Sequence, residues 1–385
     1  MFIFKYIIIV VEMALVSLVS KGAQDVYVTN DESDYSYFKM KYNRHTNFSQ
    51  APKHIATLDE KNWNFKIPSD GDIINALWVE GHIVANVFYE STIDLYIGGQ
   101  KVDSQPFEYL SDIWTNYLAD TYTKSTQINN KVSQSDTNFQ PLHFFFCDHK
   151  AFLPLCCLAY HEVEVKVNFK ATNFTAYNRT EAQKSLKVYA NYVYLDTRER
   201  EQLISRQVDL LVTQVQSIRA PLETVIDNVV QTGGYNNVDV SAFCHPVKSI
   251  FFGFNAQLNN KETDRFTFNE CDMLINGQIL FEKMSPTYFH TVQNYLKSSF
   301  GNSEFNNENK NPFYTRFFAY HFGLNASEYF PNGTTNFSRL DSAKIILRGA
   351  EKGSARPSDQ DLHVIAVSYN VLRLRDGLGG ILFGS

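Results

Sequence analysis

Two stretches of this chain repeat one another. TIDLYIGGQKV spans 92–102, and CDMLINGQIL spans 271–280. Each is an apolar run, a Gly-Gly or Asn-Gly pair, then a return strand. Such pairs supply the positive φ that a two-residue hairpin turn requires. Ile97 and Ile275 lie 178 residues apart, and at the same offset Asn116-Tyr117-Leu118 falls on Asn294-Tyr295-Leu296 without a gap. Beyond each copy runs a polar tract, ADTYTKSTQINNKVSQSDTNFQP in the first and KSSFGNSEFNNENKNP in the second. A period this long is no solenoid repeat. It means a duplicated domain, joined near residue 200, and it fits a chain of 385 residues, more than one hydrophobic core usually serves.

The unit that was copied reads as all-β. HEVEVKVNF (161–169) alternates Val163, Val165, Val167 and Phe169 against Glu162, Glu164, Lys166 and Asn168, as in an antiparallel sheet with one buried face. YFKMKY (37–42), LKVYANYVYL (186–195), VKSIFFGF and DLHVIAVSYNVLRL add further strands. The aromatic share of 15% suits pleated, half-buried surfaces. Helical periodicity is scarce; the best candidate is DTREREQLISRQ (196–207), with Asp196 or Thr197 as cap. Many short strands with long polar loops imply a sandwich or a barrel, of which the jelly roll is one form, and the pattern is read as two tandem β-sandwiches joined by a short helical linker. The expected division is an arm over 1–21, a first roll over 22–203 and a second over 204–385.

Chemistry finds little purchase. Glu162 and Glu164 share a strand face, and a retaining glycosidase needs carboxyls about 5 Å apart. A carbohydrate-active sandwich enzyme is therefore the rival reading, but a solvated polar face is the better account of that pair. Cys147, His149, Cys156 and Cys157 crowd into CDHKAFLPLCC without zinc-ligand spacing, and the cysteines at 156 and 157 sit in an apolar run as small hydrophobes. Five cysteines in so long a chain suit free thiols in a reducing compartment. No metalloprotease, serine-hydrolase or P-loop motif occurs, and no catalytic residue, cofactor or metal is expected. Basic and acidic residues number 35 and 41, well mixed, so no block neutralises a run of phosphates and direct nucleic-acid binding is not expected.

Glycan sequons begin at Asn47, Asn173, Asn178, Asn325, Asn332 and Asn336. They matter only if the chain enters a secretory lumen, as a secreted or anchored glycoprotein would. The opening MFIFKYIIIVV is short for a membrane span, and Glu12 interrupts it as a signal peptide. YNRHTNFS (42–49), with Arg44 and His45, is read as the end of the 37–42 strand, not as a ligand set.

A resemblance spans nearly all of residues 13–385. GAQDVYVTN…YFKMKYNRHTNFS resembles the N-terminal signature of the major capsid proteins of nucleocytoplasmic large DNA viruses. LYIGGQKVD, FFFCDHKAFLPLCCLAYHEVEVKVNF, ANYVYLDTRERE, HPVKSIFFGF, LINGQILF, NGTTNFSRLDSAKIIL and VIAVSYNVLRLRDGLGGILFGS follow in family order. The resemblance implies a double jelly roll that builds an icosahedral shell in the virion, assembled in host cytoplasm. It implies a pseudo-hexagonal homotrimer as the unit, with neighbouring trimers, minor capsid and penton proteins and a nearby inner viral membrane as partners. It also favours a start at Met13, because members begin much as MALVSLVSKGAQDV does, with a short apolar arm at the inner base of the shell.

Overall fold

A computed structural model describes residues 23–28, 44–58, 63–81, 91–121, 123–124, 138–148, 150–168, 186–220, 235–253, 268–298, 317–349 and 362–384. Met1–Thr46 and Asn47–Ser385 form separate units. In the first, the described residues hold one 3-10 turn, Asp25–Tyr27. The expected arm over 1–21 and strand over 37–42 lie outside the described residues.

The second unit begins with β1 (Phe48–Leu58), β2 (Asn64–Ile67), β3 (Ile73–Gly81), β4 (Thr92–Ile97), β5 (Gln100–Pro106), β6 (Asn138–Pro141), β7 (Leu153–Pro154), β8 (Val163–Asn168) and β9 (Leu186–Leu195). These make two antiparallel sheets, ordered β1-β9-β3-β6, with the two-residue β7 beside β3, and β2-β8-β4-β5. There follow β10 (Val208–Ala220), β11 (Tyr235–Asp239), β12 (Pro246–Gly253), β13 (Glu270–Ile275), β14 (Gln278–Met284), β15 (Phe317–His321), β16 (Thr335–Asn336), β17 (Ala343–Arg348), β18 (Leu362–Arg375) and β19 (Leu378–Ile381). Their sheets run β10-β18-β12-β15, flanked by β16 and β19, and β11-β17-β13-β14. With the small β7, β16 and β19 set aside, the two halves share one strand permutation. Both are jelly rolls, and the duplication read from the sequence is a duplication of topology.

The hairpins coincide to the residue: β4 and β5 map onto β13 and β14 at the constant offset of 178. Their turns explain why. Gly98 and Gly99 have φ of 57° and 82°, while Asn276 and Gly277 have 49° and 76°. Both central residues of each turn are left-handed, as the right-handed twist of the flanking strands demands. After each hairpin comes a helix, α1 (Tyr109–Leu118), a π-helix, in the first roll. Between the rolls lies α2 (Thr197–Ile204), the expected linker; Asp196 occupies its cap position, but its side chain makes no cap hydrogen bond. The second roll repeats the post-hairpin helix as α3, whose π turn Tyr288–Val292 continues into Gln293–Lys297.

Candidate assembly interface

Sequence alternation decides which side chains of the second roll's large sheet face which core. Ile250 and Phe252 of β12, Phe318 of β15, and Val364 and Ala366 of β18 pack into the second roll's own core. Their strand neighbours Phe251, Phe317, Ala319, Ile365 and Val367 belong instead to the core cluster of the first roll. This sheet is thus covered on both faces. Its strands accordingly read as unbroken apolar runs, such as the buried SIFFG of β12, instead of alternating.

Polar links lock this seam between the rolls. The hydroxyl of Tyr117, in α1, donates to the Phe317 carbonyl at 2.5 Å, and its ring lies 5.6 Å from that of Phe251. Asp103 of β5 accepts the Val215 main-chain N–H of β10 at 2.8 Å, and Gln214 Nε2 donates to the Val102 carbonyl at 2.5 Å. Across the other end, Ile381 N–H donates to Gln100 Oε1 at 3.1 Å. Burial pushes the Asp103 carboxyl up to about 7, against the pull of hydrogen bonds from Val215, Gln105 and Ser104. Close by in the second roll, burial brings the Lys248 ammonium down to about 8 and the His321 imidazole down to about 3. Lys248 still donates to the Glu328 carbonyl at 2.5 Å. Such a seam is a permanent internal interface, with apolar anchors at its centre and hydrogen bonds that cross between the rolls around them.

Comparison with known proteins separates a capsid architecture from other tandem sandwiches. The family of large eukaryotic DNA virus major capsid proteins matches residues 199–380, and the major capsid protein N-terminus family matches residues 36–196. The chain belongs to the major capsid protein family of large eukaryotic DNA viruses. It is 26% identical to the major capsid protein of Pyramimonas orientalis virus, over 96% of this chain and 99% of that one. It is also 26% identical to the major capsid protein of Paramecium bursaria Chlorella virus 1, with the same coverage. Among solved structures, a chain of the PBCV-1 virus capsid superposes with a TM-score of 0.74 at 22% identity, over 91% of this chain and all (100%) of that one. The Faustovirus major capsid protein gives a TM-score of 0.59 at 12% identity, covering 92% and 94%. The family is one of structural proteins and places the chain in the virion capsid.

The residues singled out by chemistry sit in this capsid fold as follows. Glu162 is exposed just before β8, ion-paired with Lys66, while Glu164 lies 3.6 Å from Lys66 and 3.5 Å from Lys166. The pair is engaged by lysines on a polar face. Cys147, Cys156 and Cys157 are free thiols, as are Cys244 and Cys271, and burial pushes Cys147 up to about 12. His149 lies outside the described residues. Among the described residues, no group of three or more His, Cys, Asp or Glu is placed to hold a metal. Arg44 to Asn47 are exposed, without regular structure, and lead into β1. The stretch therefore starts a strand; the strand that it was expected to end falls outside the described residues.

Of the sequons, Asn47 and Asn336 are exposed, whereas Asn325 and Asn332 are half-buried. Asn332 donates to the Asn325 carbonyl at 2.8 Å and accepts the Leu324 N–H at 3.1 Å. Asn173 and Asn178 lie outside the described residues. Sequence reasoning missed α1 and its Tyr117 anchor. The signal was present: Tyr109, Ile113 and Tyr117, all buried, recur at every fourth position, which suits a π-helix of wider turn than the usual helical period.

Proposed function

We propose that this chain is a shell-building subunit that assembles as a homotrimer of pseudo-hexagonal outline and tiles an icosahedral shell in the host cytoplasm. The observation that carries the reading is the shared strand permutation of the two rolls, locked together by the Tyr117 seam. Two like tiles per chain, taken three times, give six similar tiles, so a threefold cluster can pack hexagonally. Residues 22–203 and 204–385 serve as the two tiles, and 1–21 as an arm toward an inner membrane. Neighbouring trimers, minor capsid proteins and penton proteins are the partners, and the work is mechanical, with no turnover and no cofactor. Light scattering on the full chain tests it. A particle of about three times 44.2 kDa is expected, and a stable monomer overturns the proposal.

A further inference from the structure

Equivalent positions of the two rolls differ sharply in exposure. The same Asn-Tyr-Leu lies in the last turn of α1 and of α3. Tyr117 and Leu118 are 4% and 8% exposed, yet Tyr295 and Leu296 are 85% and 59% exposed. Val102 of β5 is buried, whereas Leu280, at the equivalent place in β14, is 45% exposed. The first roll's residues are covered because the second roll lies against them; among the described residues of the single chain, no roll covers their copies in the same way.

The receiving face shows the same asymmetry in reverse. In the second roll Phe251 pairs with Ile365 on one side and Ala319 on the other, two residues past a register shift in β12. In the first roll Trp78 occupies that place, two residues past the matching shift in β3, paired with Tyr189 and Pro141. Phe139, opposite Glu80, stands where Phe317 stands opposite Gly253. Phe251, Ile365 and Phe317 are buried against the first roll. Trp78 and Tyr189, both half-buried, and Phe139, 38% exposed, instead form a partly uncovered aromatic ladder. Trp78 stacks on Tyr189 at 5.7 Å and lies 6.5 Å from Phe139, and His54 meets Tyr189 edge-on at 5.4 Å. The outer face of an antiparallel sheet is ordinarily polar, so three adjoining rings there call for a cover.

We infer that the contact between copies repeats the seam inside the chain: the Tyr295–Leu296 turn of one copy seats on the Trp78–Tyr189–Phe139 ladder of a second copy. This rests on the trimer reading above. The operation that relates the first roll to the second, applied again, carries the second roll onto the first roll of the next copy. Such a head-to-tail contact closes into a ring when the rotation divides a full turn. Aromatic anchors of this kind dominate interface energetics.

The test uses the full chain with a benzophenone amino acid at position 295, prepared as a mixture of isotope-labelled and unlabelled copies. Irradiation is expected to join labelled to unlabelled chains at peptides containing Trp78, Phe139 or Tyr189. In parallel, Tyr295→Asp and Phe139→Asp are expected to weaken self-association by roughly tenfold or more in dilution light scattering, the loss typical of a hot-spot residue. Both positions are exposed, so the circular dichroism spectrum should not change, while any fall in unfolding temperature should follow the loss of self-association. A trimer unaffected by both substitutions, or cross-links that land elsewhere, overturns this contact and leaves the trimer standing. A wild-type monomer overturns the trimer itself, and this contact with it.

Discussion

Tyr117 and Phe317 are joined across the seam by a hydroxyl-to-carbonyl hydrogen bond of 2.5 Å, although exactly 200 positions separate them in the chain. This long-range contact does two things: it satisfies a buried phenol and fills space beside Phe251. Removing them one at a time apportions the seam. Tyr117→Phe should cost about 1 kcal/mol, the net worth of one buried hydrogen bond. Tyr117→Ala should cost about 3–5 kcal/mol, because a cavity opens as well. Urea unfolding of both variants checks the order, and equal losses would refute it.

Asp103 and His321 make stability depend on pH in opposite senses. Asp103 keeps its proton up to about 7 when folded, but it releases it near pH ~4 when unfolded. Between those values the folded state binds more protons, so this group makes stability fall as pH rises. His321 is held down to about 3 when folded, but it takes a proton below pH ~6.5 when unfolded. Over that window the unfolded state binds more protons, so stability rises with pH. Asp103→Asn should leave the histidine slope exposed: a steeper gain in stability from acid to neutral pH than the wild type shows. Denaturation midpoints across the range measure this, and parallel profiles would contradict it.

Arg348 neutralises a buried aspartate. Asp272, 3% exposed, pairs with Arg348 and also accepts the Lys283 N–H at 2.6 Å. Its counterpart in the first roll, Asp94, is held by Ser104 at 2.6 Å and Asn168 at 2.9 Å, with the Lys101 ammonium farther off at 3.8 Å. Arg348→Met should therefore destabilise by about 3 kcal/mol, since it strands a buried charge. Adding Asp272→Asn should recover part of that loss. A double variant no better than the single one would count against the pairing.

The two hairpin turns are alike in backbone and unlike in surroundings. A Cβ at Gly98 would strike the ring of His161, whereas one at Gly99 meets nothing within 4 Å. Gly99→Asn should change stability by only a few tenths of a kcal/mol, while Gly98→Asn should cost about 2 kcal/mol or more. The second roll carries Asn276 at the position equivalent to Gly98, so the cost belongs to His161 and not to the turn. His161→Ala should relieve it.

Glu162→Gln with Glu164→Gln should alter stability by less than about 1 kcal/mol, because both carboxylates sit in exposed or half-exposed ion pairs. Glycoside hydrolysis by the wild type that disappears in this double variant would revive the enzyme reading.

The hairpins were legible because their determinants are local: Gly98-Gly99 and Asn276-Gly277 force the turn, and the flanking runs set the strands. The linker helix was legible through its interleaved charges. The seam was not. Tyr117 and Tyr295 stand in the same Asn-Tyr-Leu, yet one is buried and the other exposed, so the shared tripeptide does not separate them. What separates them is which roll lies alongside. Likewise the unbroken apolar run of β12 announces cover on both faces without saying that a second roll supplies one of them.

Helix α2 ties the tiles together in pairs, and this sets a parity rule. Any closed ring of such chains contains an even number of rolls.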